Sequence, residues 1–196
     1  MNRFLKYWRI TGRGDVFQAQ VVNYADDFVI LSRGCAAEAL NWTRRVMTRI
    51  GLTLNEAKTS IKRGRTERFD FLGYTFGPHR LRKNGHMYLG ASPSKKSVSR
   101  LRQKVGDLLV RSHVAPWTEV RAHLNSMLRG WTNYFGYGTR LMAYRAVDHY
   151  VYERVRNFLR HRHKEASRGS TRFSDAVVFG DLGVLRLRDV HLGPRP

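Results

Sequence analysis

The segment VVNYADDFVILSRG (residues 21–34) places two adjacent acids, Asp26 and Asp27, between the apolar runs Val21-Val22 and Phe28 to Leu31. The flanks read as strands and the acids as a tight turn, which predicts a β-hairpin over residues 16–31 with carboxylates at its tip. Two like charges side by side repel, so the pair asks for a reason. A surface turn is one, because Asp is a common turn residue. A divalent cation is another: Mg²⁺ is usually bound by one or two carboxylates together with substrate phosphates. Polymerases use paired metals of this kind to stabilise the attacking and leaving oxygens of phosphoryl transfer.

Working outward from the hairpin, Met1, Phe4, Leu5 and Trp8 recur at helical spacing, so residues 1–9 read as the last turns of a helix and the chain is expected to open inside an element. On the other side, Ala39, Leu40, Thr43, Val46, Met47 and Ile50 mark one face of a helix that Gly51 ends. LTLNEAKTSI (52–61) reads as loop and short strand, FDFLGYTF (69–76) as one strand, and Asn84-Gly85 as a two-residue hairpin signal. Beyond Pro93 the period becomes helical throughout. Val98, Leu101, Val105, Leu108 and Leu109 form one stripe; Val120, Leu124, Met127, Leu128, Trp131, Tyr134 and Phe135 a second; Tyr144, Val147, Val151, Val155, Phe158 and Leu159 a third. Short connections, HVAPW and GYGT, join these three helices into a predicted small bundle. The expected class is α+β: a mixed region followed by an all-α one.

The chain has 196 residues, 42% of them hydrophobic, enough for a packed core. Lys and Arg number 36 against 15 Asp and Glu, a net charge of +21 that points to a polyanionic partner, either nucleic acid or an anionic membrane surface. Residues 1–90 carry 16 basic against 7 acidic residues and 91–196 carry 20 against 8, so both halves should meet the polyanion. No apolar run reaches the length of a membrane span and none resembles the core of a signal peptide, so a soluble, cytoplasmic protein is expected. The single cysteine, Cys35, excludes an intrachain disulfide framework and a Cys-rich zinc site. Candidate phosphate contacts on the helical faces are Lys95, Lys96, Arg100, Lys104, Arg129, Arg156, Arg160 and Arg162, while the aromatics of the second stripe read as core. His161 and His163 read as part of the same basic face.

YADD (24–27) between apolar strands resembles the catalytic hairpin of reverse transcriptases. The blocks that follow in order resemble the bacterial group II intron reverse transcriptase/maturase family: GLTLNEAKTSI and FDFLGYTF its next palm blocks, PSKKSVSRLRQKV its first thumb helix, LNSMLRGWTNYFGYG its maturase-specific signature. The resemblance covers residues 1 to about 165. It implies the C-terminal part of a palm over 1–90, a three-helix maturase-specific thumb over 91–165, and a C-terminal extension over 166–196. It also implies Asp26 as the best Mg²⁺ ligand with Asp27 beside it, and Tyr24 and Ala25 lining the floor near the primer end and incoming nucleotide. Lys58 would lie near the nucleotide phosphates as an acid for the leaving pyrophosphate, and Asn55 would shape its loop. Gly73 would allow close backbone approach at the primer-gripping strand. The implied partners are group II intron RNA, a DNA primer or target in the complete protein, and an upstream reverse-transcriptase fragment. No membrane partner is expected.

The family's fingers, and its earlier palm strand with another catalytic aspartate, have no counterpart here. The only acid before the hairpin, Asp15, resembles no metal-binding strand. The two-metal site is thus expected to be incomplete and the chain inactive alone as an RNA-directed DNA polymerase. Three roles follow: an RNA-binding maturase module, half of a polymerase completed by a separate fingers/palm chain, or a gene remnant without function.

Overall fold

A computed structural model describes residues 1–81, 83–165 and 172–190. Of the expected C-terminal extension, residues 166–171 and 191–196 lie outside the described residues. The chain divides into two compact units, Met1–Arg63 and Gly64–Pro196. Helices alternate with small antiparallel sheets, as the mixed α and β reading anticipates.

In the first unit, helix α1 (Asn2–Ile10) is followed by the single turn α2 (Arg13–Val16), the strands β1 (Ala19–Tyr24) and β2 (Asp27–Ser32), and helix α3 (Ala36–Arg49). Its core is aromatic. Phe4, Trp8, Phe17 and Trp42 are buried with Ala39 and Met47, and the Trp8 and Trp42 rings meet edge-on with centroids 5.6 Å apart. Burial of large rings drives this association, because aromatic pairs add to the apolar area they remove from water. The guanidinium of Arg13 lies 5.5 Å from the Trp42 ring centre and closes one side of the cluster. The expected strand from residue 16 starts later, at Ala19, because residues 13–16 take up the helical turn. LTLNEAKTSI forms turns and loop with no strand.

The second unit begins with a three-stranded meander, β3 (Phe69–Phe71), β4 (Tyr74–Arg80) and β5 (Met87–Pro93), in which β4 is central. FDFLGYTF is therefore two strands and not one. Leu72 and Gly73 both adopt positive φ, 49° and 77°, which reverses the chain between the paired residues Phe71 and Tyr74. Leu72 hides this turn from a reading of side-chain pattern, since an apolar residue rarely adopts such a backbone. Asn84-Gly85 does sit between β4 and β5, but in a loop longer than two residues that Leu81 and His86 close by a 2.8 Å backbone hydrogen bond.

Three helices follow: α4 (Lys95–Leu108), α5 (Trp117–Tyr134) and α6 (Leu141–Arg162). Ser94 caps α4, its hydroxyl accepting from the Ser97 amide at 3.1 Å. The three apolar stripes read from the sequence converge in one core containing Leu101, Val105, Leu124, Leu128, Val147 and Val155, all buried. Each such side chain contributes about 1.5–3 kcal/mol by leaving water. The same core takes in Phe173, Val178, Val184 and Leu187, of which Val178 lies in a π-helical turn (Val177–Asp181) and Leu187 in a 3-10 turn (Leu187–Asp189). What the sequence suggests is an appended tail is, over 172–190, part of the packed unit. β3–β5 also pack with the helices, so the compact boundary falls at 63/64 and not at the composition shift near Pro93. Tyr74 donates to the Tyr134 carbonyl at 2.8 Å, and Tyr134 donates to the Leu72 carbonyl at 2.9 Å.

Candidate nucleic-acid interface

The hairpin of the first unit pairs Tyr24 with Asp27, so the loop proper is Ala25-Asp26 and Asp27 opens the returning strand. Ala25 has φ +50°, a left-handed conformation that costs a residue with a Cβ about 1–2 kcal/mol. That backbone turns Asp26 out at the apex. Both carboxylates are exposed, and Tyr24 is 65% exposed. The outward face of this two-stranded sheet also leaves Val22 and Leu31 about half exposed. Among the described residues no three His, Cys, Asp or Glu side chains gather into a metal-binding group. Asp26 and Asp27 can offer one or two carboxylates to a divalent cation, as Mg²⁺ commonly uses.

Asn55 and Lys58 share a turn, in which the Asn55 carbonyl accepts from the amides of Lys58 and Thr59, both at 3.0 Å. The Thr59 hydroxyl adds a third bond to that oxygen at 2.9 Å. A bidentate pair between Arg44 and Glu56, at 3.0 and 2.6 Å, ties the turn to α3 and raises the pKa of Arg44 while lowering that of Glu56. Lys58 is exposed, and among the described residues no ion pair or hydrogen bond joins it to Asp26 or Asp27.

Gly73 belongs to the second unit, and its close approach is to the protein's own helices. A Cβ there would lie 2.9 Å from Ser97 Oγ and 3.1 Å from Phe135 Cζ. Its carbonyl accepts from the Ser94 amide and the Ser97 hydroxyl, each at 2.9 Å, so it fastens the β3–β4 turn to the start of α4. Gly138 is similar: with φ +68°, an added Cβ would lie 2.2 Å from the Ala91 carbonyl oxygen, which accepts from the Thr139 amide at 2.7 Å.

The basic residues separate into two groups. Lys95, Lys96, Arg100, Lys104 and Arg129 are exposed. Lys96, Arg100 and Lys104 repeat every four residues and so form a row along one side of α4, spanning about 12 Å at the helical rise per residue. This row opposes helix stability twice over. Cations four apart repel by about 0.2–0.5 kcal/mol per pair, and the first turn of α4 carries lysines and no acid where the helix dipole favours an anion. Arg156 and Arg160, by contrast, are partly buried. Arg156 pairs with Glu153 at 2.5 Å and its guanidinium lies 5.2 Å from the Tyr152 ring centre. Arg160 contacts the His161 ring at 3.4 Å. The neighbouring Arg154 donates to the carbonyls of Gly106 and Leu109 at 3.0 and 3.1 Å, which makes it a structural link between helices. Arg162 is exposed but anchored, donating to the Val114 carbonyl at 2.9 Å. Trp131 is partly buried, its ring 4.7 Å from Phe135 and 5.8 Å from Tyr144, in line with a packing role.

Sequence reasoning missed two polar residues that organise this unit. Asp148 is buried on α6, where its carboxylate accepts from the amides of Leu187 and Arg188 at 2.7 and 3.2 Å. Burial raises its pKa, while the amide bonds and the charges of Arg188 and Arg186 oppose that rise. Asn125 donates to the Gly183 carbonyl and accepts from the Leu185 amide, both at 2.8 Å. A lone acid at a core position of the third stripe was the available signal for Asp148; Asn125 had none.

No helix among the described residues is long and apolar enough to cross a membrane. Residues 98–174 match the family model described as the group II intron, maturase-specific domain. A comparison with curated proteins found no match.

Proposed function

We propose, from the match of residues 98–174 to the group II intron maturase-specific domain, that the chain is a group II intron maturase involved in splicing and acts as an RNA-binding module that holds folded intron RNA. The observation that carries this reading is the cationic row Lys96, Arg100 and Lys104, whose charges work against the helix that bears them and are neutralised when phosphates lie along it. Arg129 extends the exposed basic surface on α5. A protein that acts on an intron transcript would work in the cytoplasm.

The test is a titration of the whole chain with a structured intron RNA at several salt concentrations. Lys96→Glu, Arg100→Glu and Lys104→Glu together should weaken binding strongly and flatten its salt dependence, because the slope of log affinity on log salt falls by about 0.7–0.9 for every phosphate no longer neutralised. Unchanged affinity in the triple variant would place the RNA on another surface.

A second reading, that this chain is the back half of a palm completed by a separate fingers/palm chain, is favoured by the half-exposed Val22 and Leu31 and the exposed Tyr24 on the outer face of the hairpin. Such a face suits cover by further strands, since two strands alone are marginally stable in water. In that setting Asp26 and Asp27 would hold Mg²⁺, which supplies charge stabilisation to phosphoryl transfer. Tyr24 and Ala25 would flank the primer end, and Asn55 would shape the turn that presents Lys58. The chain alone should extend no DNA primer on an RNA template. Extension that disappears in Asp26→Asn would refute that expectation.

A further inference from the structure

Where the connection after α4 meets the C-terminal end of α6, Arg111, His113, Val114, Phe158, His161 and Arg162 line a recess of about 240 Å³. Four of the six lining residues carry basic side chains and none is acidic. Arg111 has no ion-pair partner among the described residues. Arg162 is fixed by its bond to the Val114 carbonyl and lies with its guanidinium 5.6 Å from the Phe158 ring centre, which leaves its other nitrogens to donate elsewhere. His113 is held by a 2.7 Å contact from Nδ1 to the Leu108 carbonyl; as the carbonyl can only accept, Nδ1 carries the proton, and Nε2 can donate to an anion only when the ring is an imidazolium. A solvent-open recess with one guanidinium already oriented and a second beside it suits a tetrahedral oxyanion, since a planar guanidinium matches two of its oxygens at once.

We propose that this recess is a phosphodiester clamp, in which Arg111 and Arg162 grip the non-bridging oxygens of one RNA phosphate beside the imidazoles of His113 and His161. The clamp rests on the RNA-binding reading above but lies apart from the α4 row, and it gives the α4–α5 connection a role that sequence pattern did not suggest. Phe158 is buried at its apolar floor, while Val114 stays solvent-exposed, so the recess opens to a ligand from outside. The groups facing His161 are Arg111 and His113 from the connection and Arg160 and Arg162 from α6 itself. Burial first, then the charges of Arg111 and Arg160, hold its pKa below 6.5. A phosphate seated among them opposes those charges and favours the imidazolium, so by linkage RNA binding and proton uptake at His161 strengthen each other.

The experiment uses the whole chain and a fluorescently labelled RNA hairpin with single-stranded flanks. Arg111→Gln is the primary variant because Arg111 has no ion-pair partner among the described residues. It should weaken binding about tenfold and lower the salt slope by about 0.7–0.9. Arg162→Lys, which keeps the charge but loses the planar fork, should weaken binding with the slope retained. In parallel, the His161 ring is titrated by NMR with and without the RNA; its pKa should rise on binding in the parent protein and not in Arg111→Gln. If Arg111→Gln binds as the parent does, or if RNA leaves the His161 titration where it was, the clamp is refuted. If those results come while reversal of Lys96, Arg100 and Lys104 still abolishes binding, the clamp alone falls. Failure of the parent protein to bind RNA at all overturns both readings.

Discussion

Two glycines eight residues apart, Gly130 and Gly138, should respond to the same substitution in opposite directions. Gly138 holds φ +68°, and a Cβ added there lies 2.2 Å from the Ala91 carbonyl oxygen and 3.1 Å from its carbon. Gly138→Ala therefore meets left-handed strain of about 1 kcal/mol or more and a clash with main chain rather than with a flexible side-chain end. Relief requires the 136–140 loop to withdraw from β5. That withdrawal breaks the 2.7 Å bond from the Thr139 amide to Ala91 and the 2.5 Å hydroxyl contact between Tyr88 and Thr139, each worth about 1 kcal/mol. The expected cost is about 2–4 kcal/mol, or roughly 6–12 °C in Tm for a unit of this size. Gly130 sits within α5 and nothing lies within 4 Å of a Cβ built on it. Gly130→Ala should raise stability by up to about 1 kcal/mol through helix propensity. Urea and thermal melts followed by far-ultraviolet circular dichroism measure both. If Gly138→Ala melts with the parent, the junction between β5 and α6 is not held by that close approach, and the reasoning fails.

Three further outcomes follow from individual side chains. Ala25→Gly should stabilise the first unit by about 1 kcal/mol by removing the Cβ from a left-handed turn; a destabilised hairpin in the same melts would show that the turn is not strained. Trp131→Ala should cost about 3 kcal/mol through its contacts with Phe135 and Tyr144, whereas Arg129→Ala should lower RNA affinity with Tm nearly unchanged; a Trp131→Ala protein that melts normally but no longer binds RNA would make this ring a base-stacking surface. Asp148 has a pKa raised in the fold, so the folded chain holds its proton more tightly than the unfolded one. The stability it contributes is present at low pH and is lost as pH climbs from its ordinary value of 3.8 through the raised one. Asp148→Asn should remove that decline, and urea midpoints running parallel to the parent across this range would refute the assignment.

The helical half was legible because its apolar period is strong: Leu101, Leu124 and Val151 stand where the stripes put them, and the breaks at HVAPW and GYGT fall in the observed connections. The hairpin around Asp26 was legible too, shifted by one residue because Ala25 adopts a backbone that its side chain does not advertise. The same blindness merged β3 and β4, where Leu72 occupies a positive-φ position. Burial was the harder matter. Arg154, Arg156 and Arg160 look in sequence like the outer face of α6, yet carbonyls, Glu153 and aromatic rings absorb them, since a long arginine can lay its stem on apolar surface and spend its donors internally. The recess at Arg111 needed three dimensions, because its lining comes from two stretches more than forty residues apart.

The turns of residues 172–190 are kept in place by Asn125 and Asp148, whose side chains satisfy main-chain groups of Gly183, Leu185, Leu187 and Arg188. A shortened protein that stops after α6, where the periodic pattern ends, would lose Phe173, Val178, Val184 and Leu187 from its core and leave a buried carboxylate facing water-filled space. Anyone trimming this molecule for expression, or fusing it to another protein, should therefore cut beyond residue 190. Random mutagenesis should likewise find Phe173, Val178, Val184 and Leu187 as intolerant of polar substitutions as the buried positions of the helices themselves.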